Sequence, residues 1–162
     1  MPFGKLERDH DRQNFDCGEP ALTAYLRERA NQDRRRGLNA TRVLTDGNTI
    51  VGYYTLSPFA LELRQLPVEL AQKFPANLLL PCYLIGRLAV DKKWQGQGSG
   101  KMLLADALQN IVELADKAGG YCAVVDAKNN AVKSFYEQYD FRPVIDDVRR
   151  LYLPVAKIPV TT

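Results

Sequence analysis

The sequence holds a single histidine, His10, in a polar N-terminal stretch. A multi-histidine metal site therefore has no material to draw on, and a histidine triad or dyad would have to be built on this one residue in a polar segment. Cysteine is scarce as well: Cys17, Cys82 and Cys122 are odd in number, scattered and without metal-ligand spacing. That argues against a disulfide framework or zinc site and suits a reducing cytoplasm. No apolar run approaches the ~20 residues that span a bilayer. The opening segment, residues 1–10, has no signal-peptide hydrophobic region. Internal repeats, low-complexity tracts and Ser/Gly-rich linkers are missing too. The expectation is one cytoplasmic domain, residues 1–162, with no metal and no membrane partner.

What is present fits a single hydrophobic core: 162 residues, 46% apolar and 25% charged, close to ordinary soluble usage. Lys and Arg number 22 against 19 Asp and Glu, a net charge of +3. The sum is modest, but its distribution is uneven. Arg27, Arg29, Arg34, Arg35, Arg36 and Arg42 crowd one stretch.

Periodicity divides the chain. Leu22, Tyr25, Leu26 and Ala30 recur at helical spacing from Glu19 to about Arg36, with Pro20 in the first turn and Gly37 as the stop. Thr41–Thr45 and Ile50–Leu56 read as a hairpin around Asp46-Gly47, closed by Ser57-Pro58. A connecting region from Phe59 to Pro81 has room for a short helix between Leu66 and Phe74. Cys82–Val90 is a near-continuous apolar run, the mark of a strand buried on both faces. A helix over 101–118, a strand over 121–126, a helix over 130–139 and late strands over 141–144 and 149–153 follow. The fold class expected is mixed α/β (α+β), with a central, largely antiparallel sheet flanked by helices on both faces.

Between the buried strand and the long helix lies Asp91-Lys-Lys-Trp-Gln-Gly-Gln-Gly-Ser-Gly100. Gly96, Gly98 and Gly100 let the main chain come close to a ligand. The helix that opens here offers unpaired N–H groups and the positive end of its dipole. Lys92, Lys93 and Lys101 add charge, so the turn reads as a phosphate or pyrophosphate cradle. A plain strand-to-helix connection is the other reading. Two phosphate-loop spellings fail. Gly100-Lys101 is followed by Met102, so the Walker hydroxyl is missing, and Gly96-x-Gly98-x-Gly100 has the wrong spacing for a dinucleotide fingerprint.

Gln95-x-x-Gly98-x-Gly100 after Leu88-Ala-Val-Asp91 resembles the acetyl-CoA loop of the GNAT acyltransferase superfamily. Asn129-Asn-Ala-Val-Lys-Ser-Phe-Tyr136-Glu-Gln-Tyr-Asp-Phe141 resembles the same family's Asn-x-x-Ala-x-x-x-Tyr segment. Val132 stands at a small-residue position and Asp140 at a glycine position. The opening Phe15-Asp-Cys-Gly18, Leu22-x-x-Tyr25-Leu26 and Ala30-x-Gln32-Asp33, with Val51–Ser57 and Ile85–Val90, is similar to the GNAT-type toxins of toxin–antitoxin pairs.

The resemblance implies a GNAT fold with acetyl-CoA as co-substrate and aminoacyl-tRNA as acceptor. It implies a ribbon–helix–helix antitoxin as partner and a homodimer. It assigns the cofactor to Leu88, Ala89, Val90, Gln95, Gly96, Gln97, Gly98, Ser99, Gly100 and Asn129, and the general acid to Tyr136. A phenol with pKa about 10 is protonated at neutral pH and can protonate a leaving thiolate. By spacing alone, Tyr136 is equally an ordinary packing aromatic beside Phe135.

A general base is less visible, because residues 83–90 hold no Asp or Glu; Glu62, Asp91 or a water remain. Lysine, with pKa about 10.4, demands far more deprotonation than an α-amine at about 7.7–8.0, so a site without an evident base suits an α-amine. Arg34, Arg35 and Arg36 at a helix end are either a solvated basic end or contacts to a tRNA backbone. Lys93 beside Trp94 puts charge next to an aromatic on which a base can stack. Arg87 in a buried strand needs a carboxylate, a phosphate or the tRNA terminus. The alternative function is a housekeeping GNAT enzyme acting on a small-molecule amine or a protein or peptide amine. A third is a non-enzymatic acyl-CoA sensor.

Overall fold

Extended segments satisfy their backbone groups by pairing with neighbours, and here seven strands pair in one connected order: Phe3–Lys5, Ala40–Asp46, Thr49–Glu62, Leu79–Val90, Cys122–Asp126, Asp147–Pro154 and Arg142–Val144. The computed structural model describes residues 1–159. They form two compact units, one of Met1–Ser57 with Gly86–Ala107, the other of Pro58–Ile85 with the chain from Leu108. Strands β3 (Thr49–Glu62) and β4 (Leu79–Val90) and helix α4 (Ser99–Ala118) each contribute residues to both.

In the first unit, β1 (Phe3–Lys5) pairs antiparallel with β2 (Ala40–Asp46), which pairs antiparallel with β3. Helix α1 (Pro20–Ala24) leads through a π-helical turn, Tyr25–Arg29, into α2 (Ala30–Arg35). The expected single helix is thus interrupted: the Ala30 N–H reaches back to the Tyr25 carbonyl, which leaves Tyr25, Leu26 and Ala30 all buried. Gly37, at φ +73, ends the run while the Leu38 N–H bonds to the Asp33 carbonyl and the Gly37 N–H to Arg34. The core gathers Phe15, Tyr25, Leu26, Val43, Ile50 and Tyr53. The Tyr53 ring meets Phe15 edge-on at 5.6 Å.

Two expectations are corrected and one unforeseen strand is added. Strand β3 runs on through Pro58 to Glu62, because its last residue paired with β2 is Leu56 and Pro58 owes that neighbour no N–H. The short β1 lacks any readable pattern and forms as an edge strand on β2. Strand β4 is only partly buried: Leu80, Cys82, Ile85 and Ala89 are in the core, whereas Tyr83, Leu84, Arg87, Leu88 and Val90 are half-buried and Gly86 is exposed. Solvent therefore reaches part of the strand that leads into the glycine-rich turn.

Gly52 of β3 marks the tightest packing in this unit. A Cβ there would stand 2.7 Å from the Leu103 side chain and 2.8 Å from the Ala89 carbonyl oxygen. The carbonyl is backbone and cannot swing aside. Gly52→Ala is therefore expected to lower stability by about 1–3 kcal/mol, read as a depressed Tm. An unchanged Tm would show that the backbone of β4 yields freely there.

In the second unit, β5 (Cys122–Asp126) pairs parallel with β4, from Cys82↔Cys122 to Ile85↔Val125, and antiparallel with β7 (Asp147–Pro154). Strand β6 (Arg142–Val144) closes that edge. One short helix, α3, spans Val68–Ala71, and α5 spans Asn130–Glu137. The core holds Leu61, Leu80, Val124, Val144 and Tyr152. Cys82 and Cys122 are free thiols buried among these residues, with sulfurs 3.2 Å apart. Helix α2 packs on β2 in the first unit and α5 on β7 in the second. The mixed, largely antiparallel sheet with flanking helices is the fold that the sequence pattern implied.

Candidate active site

The turn between β4 and α4 is built around Asp91. Its side chain is buried, and both oxygens are occupied: Oδ1 accepts the Lys93 N–H at 2.9 Å and Oδ2 the Asp16 N–H at 3.0 Å. The backbone repeats the link, with Lys92 N–H on the Asp16 carbonyl at 2.9 Å and Asp91 N–H on the Val51 carbonyl at 2.8 Å. Gln95 adds two bonds, its Nε2 donating to Cys17 O at 2.9 Å and Val90 O at 2.8 Å. The segment 15–18 is thus a strap that fixes the turn from outside. Asp91 thus holds the backbone of the turn, a positioning role beside the possible base named above.

Beyond Gln95 the turn is open. Gly96 and Gly98 have φ of +77° and +86°, and among the described residues, chain neighbours aside, nothing lies within 4 Å of a Cβ built on either. Gln97 is exposed, Ser99 is buried with its hydroxyl on the Trp94 carbonyl at 3.5 Å, and the 20-residue α4 starts there. A left-handed, side-chain-free backbone ahead of a helix N-terminus fits a pyrophosphate that needs several N–H donors at once. Leu88, Ala89 and Val90 lead into it along β4. Lys93 and Lys92 are exposed beside half-buried Trp94, and Lys92 Nζ lies 3.4 Å from Asp16. Lys93 and Trp94 line a cavity of about 230 Å³ with Asp11, Asn14 and Phe15.

Tyr136 and Asn129 belong to the second unit. Asn129 is the N-cap of α5, its Oδ1 accepting the Val132 N–H at 2.9 Å. Tyr136 is 5% exposed, its ring 5.2 Å from Phe135 and 5.4 Å from Phe141. Among the described residues its hydroxyl has no hydrogen-bond partner. Burial pushes the phenol well above the ordinary tyrosine range. Asp140 sits at φ +71, so the position where the family pattern has glycine does adopt the left-handed backbone, here with an aspartate.

Among the basic candidates, Arg34, Arg35 and Arg36 are all exposed at the end of α2. Arg87 finds none of the expected anionic partners within the described residues; its guanidinium lies 3.6 Å above the Tyr25 ring. Glu62, another candidate base, is ion-paired with Arg64 at 2.7 Å. The roles of Asp91, Asp16 and Tyr25 were not visible in the sequence; the signal that could have pointed to them is the Phe15–Gly18 resemblance. Among the described residues, no helix is long and apolar enough to cross a membrane, and no group of His, Cys, Asp or Glu side chains could hold a metal.

A glycine-opened helix behind a half-covered strand offers a cradle for an anionic ligand, and family comparison gives the chain a class. The family model for acetyltransferase (GNAT) domains matches residues 38–143, and the chain belongs to that family of acetyltransferases. It is 34% identical over 131 residues, 81% of this chain and 78% of the relative, to the tRNA-acetylating toxin of Mycobacterium tuberculosis. Among solved structures it is similar to AtaT complexed with acetyl-methionyl-tRNAfMet, with TM-score 0.90, 30% identity and coverage of 97% of this chain and 96% of that one. It is also similar to a tyrosine-to-phenylalanine mutant of AtaT bound to the C-terminus of the antitoxin AtaR and acetyl-CoA. That match has TM-score 0.82, 28% identity and coverage of 97% and 94%.

Proposed function

We propose that this chain uses acetyl-CoA to acetylate the α-amine of aminoacyl-tRNA and, as a toxin, blocks translation. One observation carries the choice of amine: the candidate carboxylate bases are engaged, Asp91 by two backbone N–H groups and Glu62 by Arg64. An amine with pKa about 7.7–8.0 needs little help to deprotonate, whereas a lysine at about 10.4 needs a base. The tRNA-acetylating relative supports the same acceptor.

In this reading the backbone of Leu88, Ala89 and Val90 aligns the pantetheine arm as an added strand would lie. Gln95, Gly96, Gln97, Gly98, Ser99 and Gly100 receive the pyrophosphate, and Asn129 gives a further contact to the arm. An N–H near Val90 polarises the thioester carbonyl. The neutral amine attacks that carbon, the C–N bond forms and the C–S bond breaks. Tyr136 passes its phenolic proton to the departing sulfur, the amine's surplus proton leaves to water, and water returns one proton to the phenolate. Arg34, Arg35, Arg36, Arg87 and Lys93 face the RNA. Residues 1–162 act as one domain, because β3, β4 and α4 are shared by both compact units. A ribbon–helix–helix antitoxin, a homodimer and a cytoplasmic setting complete the reading.

Incubation of the protein with acetyl-CoA and charged tRNA should place one acetyl group on the aminoacyl nucleotide by mass spectrometry, and expression should arrest growth. Turnover of a polyamine, antibiotic or peptide with none on charged tRNA would replace this reading with a housekeeping enzyme. Cofactor binding without any thiol release would replace it with a sensor.

A further inference from the structure

Arg87 is half-buried in β4, and no carboxylate among the described residues pairs with its charge. The other partly buried arginines of known contact are satisfied: Arg42 by Asp106, Arg150 by Asp126, and Arg27 by the carbonyls of Arg12 and Phe15. Arg87 instead lies over an aromatic ring, its guanidinium carbon 3.6 Å from the centroid of Tyr25. Among the described residues none of its N–H donors is taken.

The ring beneath it is fixed from several sides. The Tyr25 hydroxyl donates to Oδ2 of buried Asp33 at 2.8 Å and accepts from Nδ2 of Asn39 at 2.8 Å. Its other neighbour is Tyr53, stacked at 6.5 Å with an interplanar angle of 13°. Tyr53 is fully buried and donates its own hydroxyl to the Leu22 carbonyl at 2.6 Å. The π-helical turn begins at Tyr25 and is what presents this ring to β4. A cation–ring contact holds the plane of a guanidinium but leaves the in-plane fork of donors available. Half-buried and without a described protein acceptor, the fork is open to water or to an anion arriving from outside.

We propose that Arg87 is a pre-oriented phosphate-binding fork for the nucleic-acid acceptor, with Tyr25, Asp33 and Asn39 as its positioning residues. This rests on the aminoacyl-tRNA reading above. The ligand chemistry is a pair of phosphate oxygens taken bidentately. Acetyl-CoA carries phosphates too, but the turn suited to them begins beyond Val90, about 10 Å further along the strand at ~3.3 Å per residue. The RNA is therefore the source.

The test compares aminoacyl-tRNA with aminoacyl-adenosine, which presents the same amine and ester without phosphate. In wild type both are first shown to be acetylated. Arg87→Ala should lower the ratio of kcat/KM for aminoacyl-tRNA to that for aminoacyl-adenosine by roughly ten- to a hundred-fold. The loss should lie in KM for the tRNA, not in KM for acetyl-CoA. The slope of log KM against log salt should shrink by about one phosphate contact. Arg87→Lys keeps the charge without the fork and should recover part of the ratio with most of the salt slope. Tyr25→Leu should raise KM for tRNA while sparing kcat, and Arg87→Lys keeps the test intact if that variant fails to fold. A ratio unchanged in Arg87→Ala overturns the proposal, and a raised KM for acetyl-CoA assigns the fork to the cofactor instead. Wild-type protein that leaves charged tRNA untouched while acetylating another amine overturns the acceptor reading itself.

Discussion

Tyr136→Phe should lower kcat by about 10²–10⁴-fold, the usual worth of a positioned general acid, while acetyl-CoA still binds with little change in Kd. The substitution removes one oxygen from a ring that packs on Phe135 and Phe141, so the core contacts survive. The hydroxyl has no hydrogen-bond partner among the described residues, so its loss leaves no orphaned group there. Single-turnover rates and calorimetric titration with acetyl-CoA separate the two effects. A variant with near wild-type kcat would return Tyr136 to being a packing aromatic.

The pH profile carries a second signature. Burial raises the phenol's pKa, and an acid catalyst is competent below its pKa and lost as pH rises through it. Because the value lies above the ordinary ~10, Tyr136 stays protonated across the neutral and mildly alkaline range. The rate should climb as the acceptor amine deprotonates near about 8 and then stay level to roughly pH 9. A descending limb between these values would require a different acid.

Asp91→Ala should raise KM for acetyl-CoA by roughly ten- to a hundred-fold, since each charge-assisted bond to a backbone N–H is worth about 1.5–3 kcal/mol. The carboxylate is what ties the Asp16 and Lys93 amides together, and the turn that follows depends on that tie. The effect belongs in cofactor binding, with kcat changed by a few-fold at most. Asp91→Asn retains one acceptor and should fall between the two. A KM unmoved in Asp91→Ala would mean that Gln95 and the backbone bonds suffice to shape the turn.

The contrast between these two residues shows what a sequence exposes. The glycine-rich turn was readable because left-handed backbone leaves its mark in residue type, at Gly96 and Gly98. The long helix was readable because Leu104, Leu108 and Ile111 repeat at its period and are buried on it. Tyr136 was readable only through the register of a family motif, since spacing alone did not distinguish an acid from a packing ring. The tie from Asp91 to Asp16 escaped the sequence because that partner lies far away in the chain, and no local pattern records such a pairing. Arg87 was expected to seek an anion, and the Tyr25 ring beneath it is equally non-local. The π-helical turn escaped notice because one extra residue still leaves Leu22, Tyr25, Leu26 and Ala30 looking helical. Pro58 misled in the opposite sense, as a stop signal placed where the strand had already outrun its neighbour.

One carboxylate closing a circuit of 75 residues has a consequence for how the protein comes to life. A contact that distant forms late, after the entropy of closing a long loop has been overcome by the strands between. A growing chain has Asp16 early but cannot shape the glycine turn until Asp91 has emerged and the intervening hairpin is in place. Competence to take up an acyl donor therefore arrives, on these terms, only near completion of the fold.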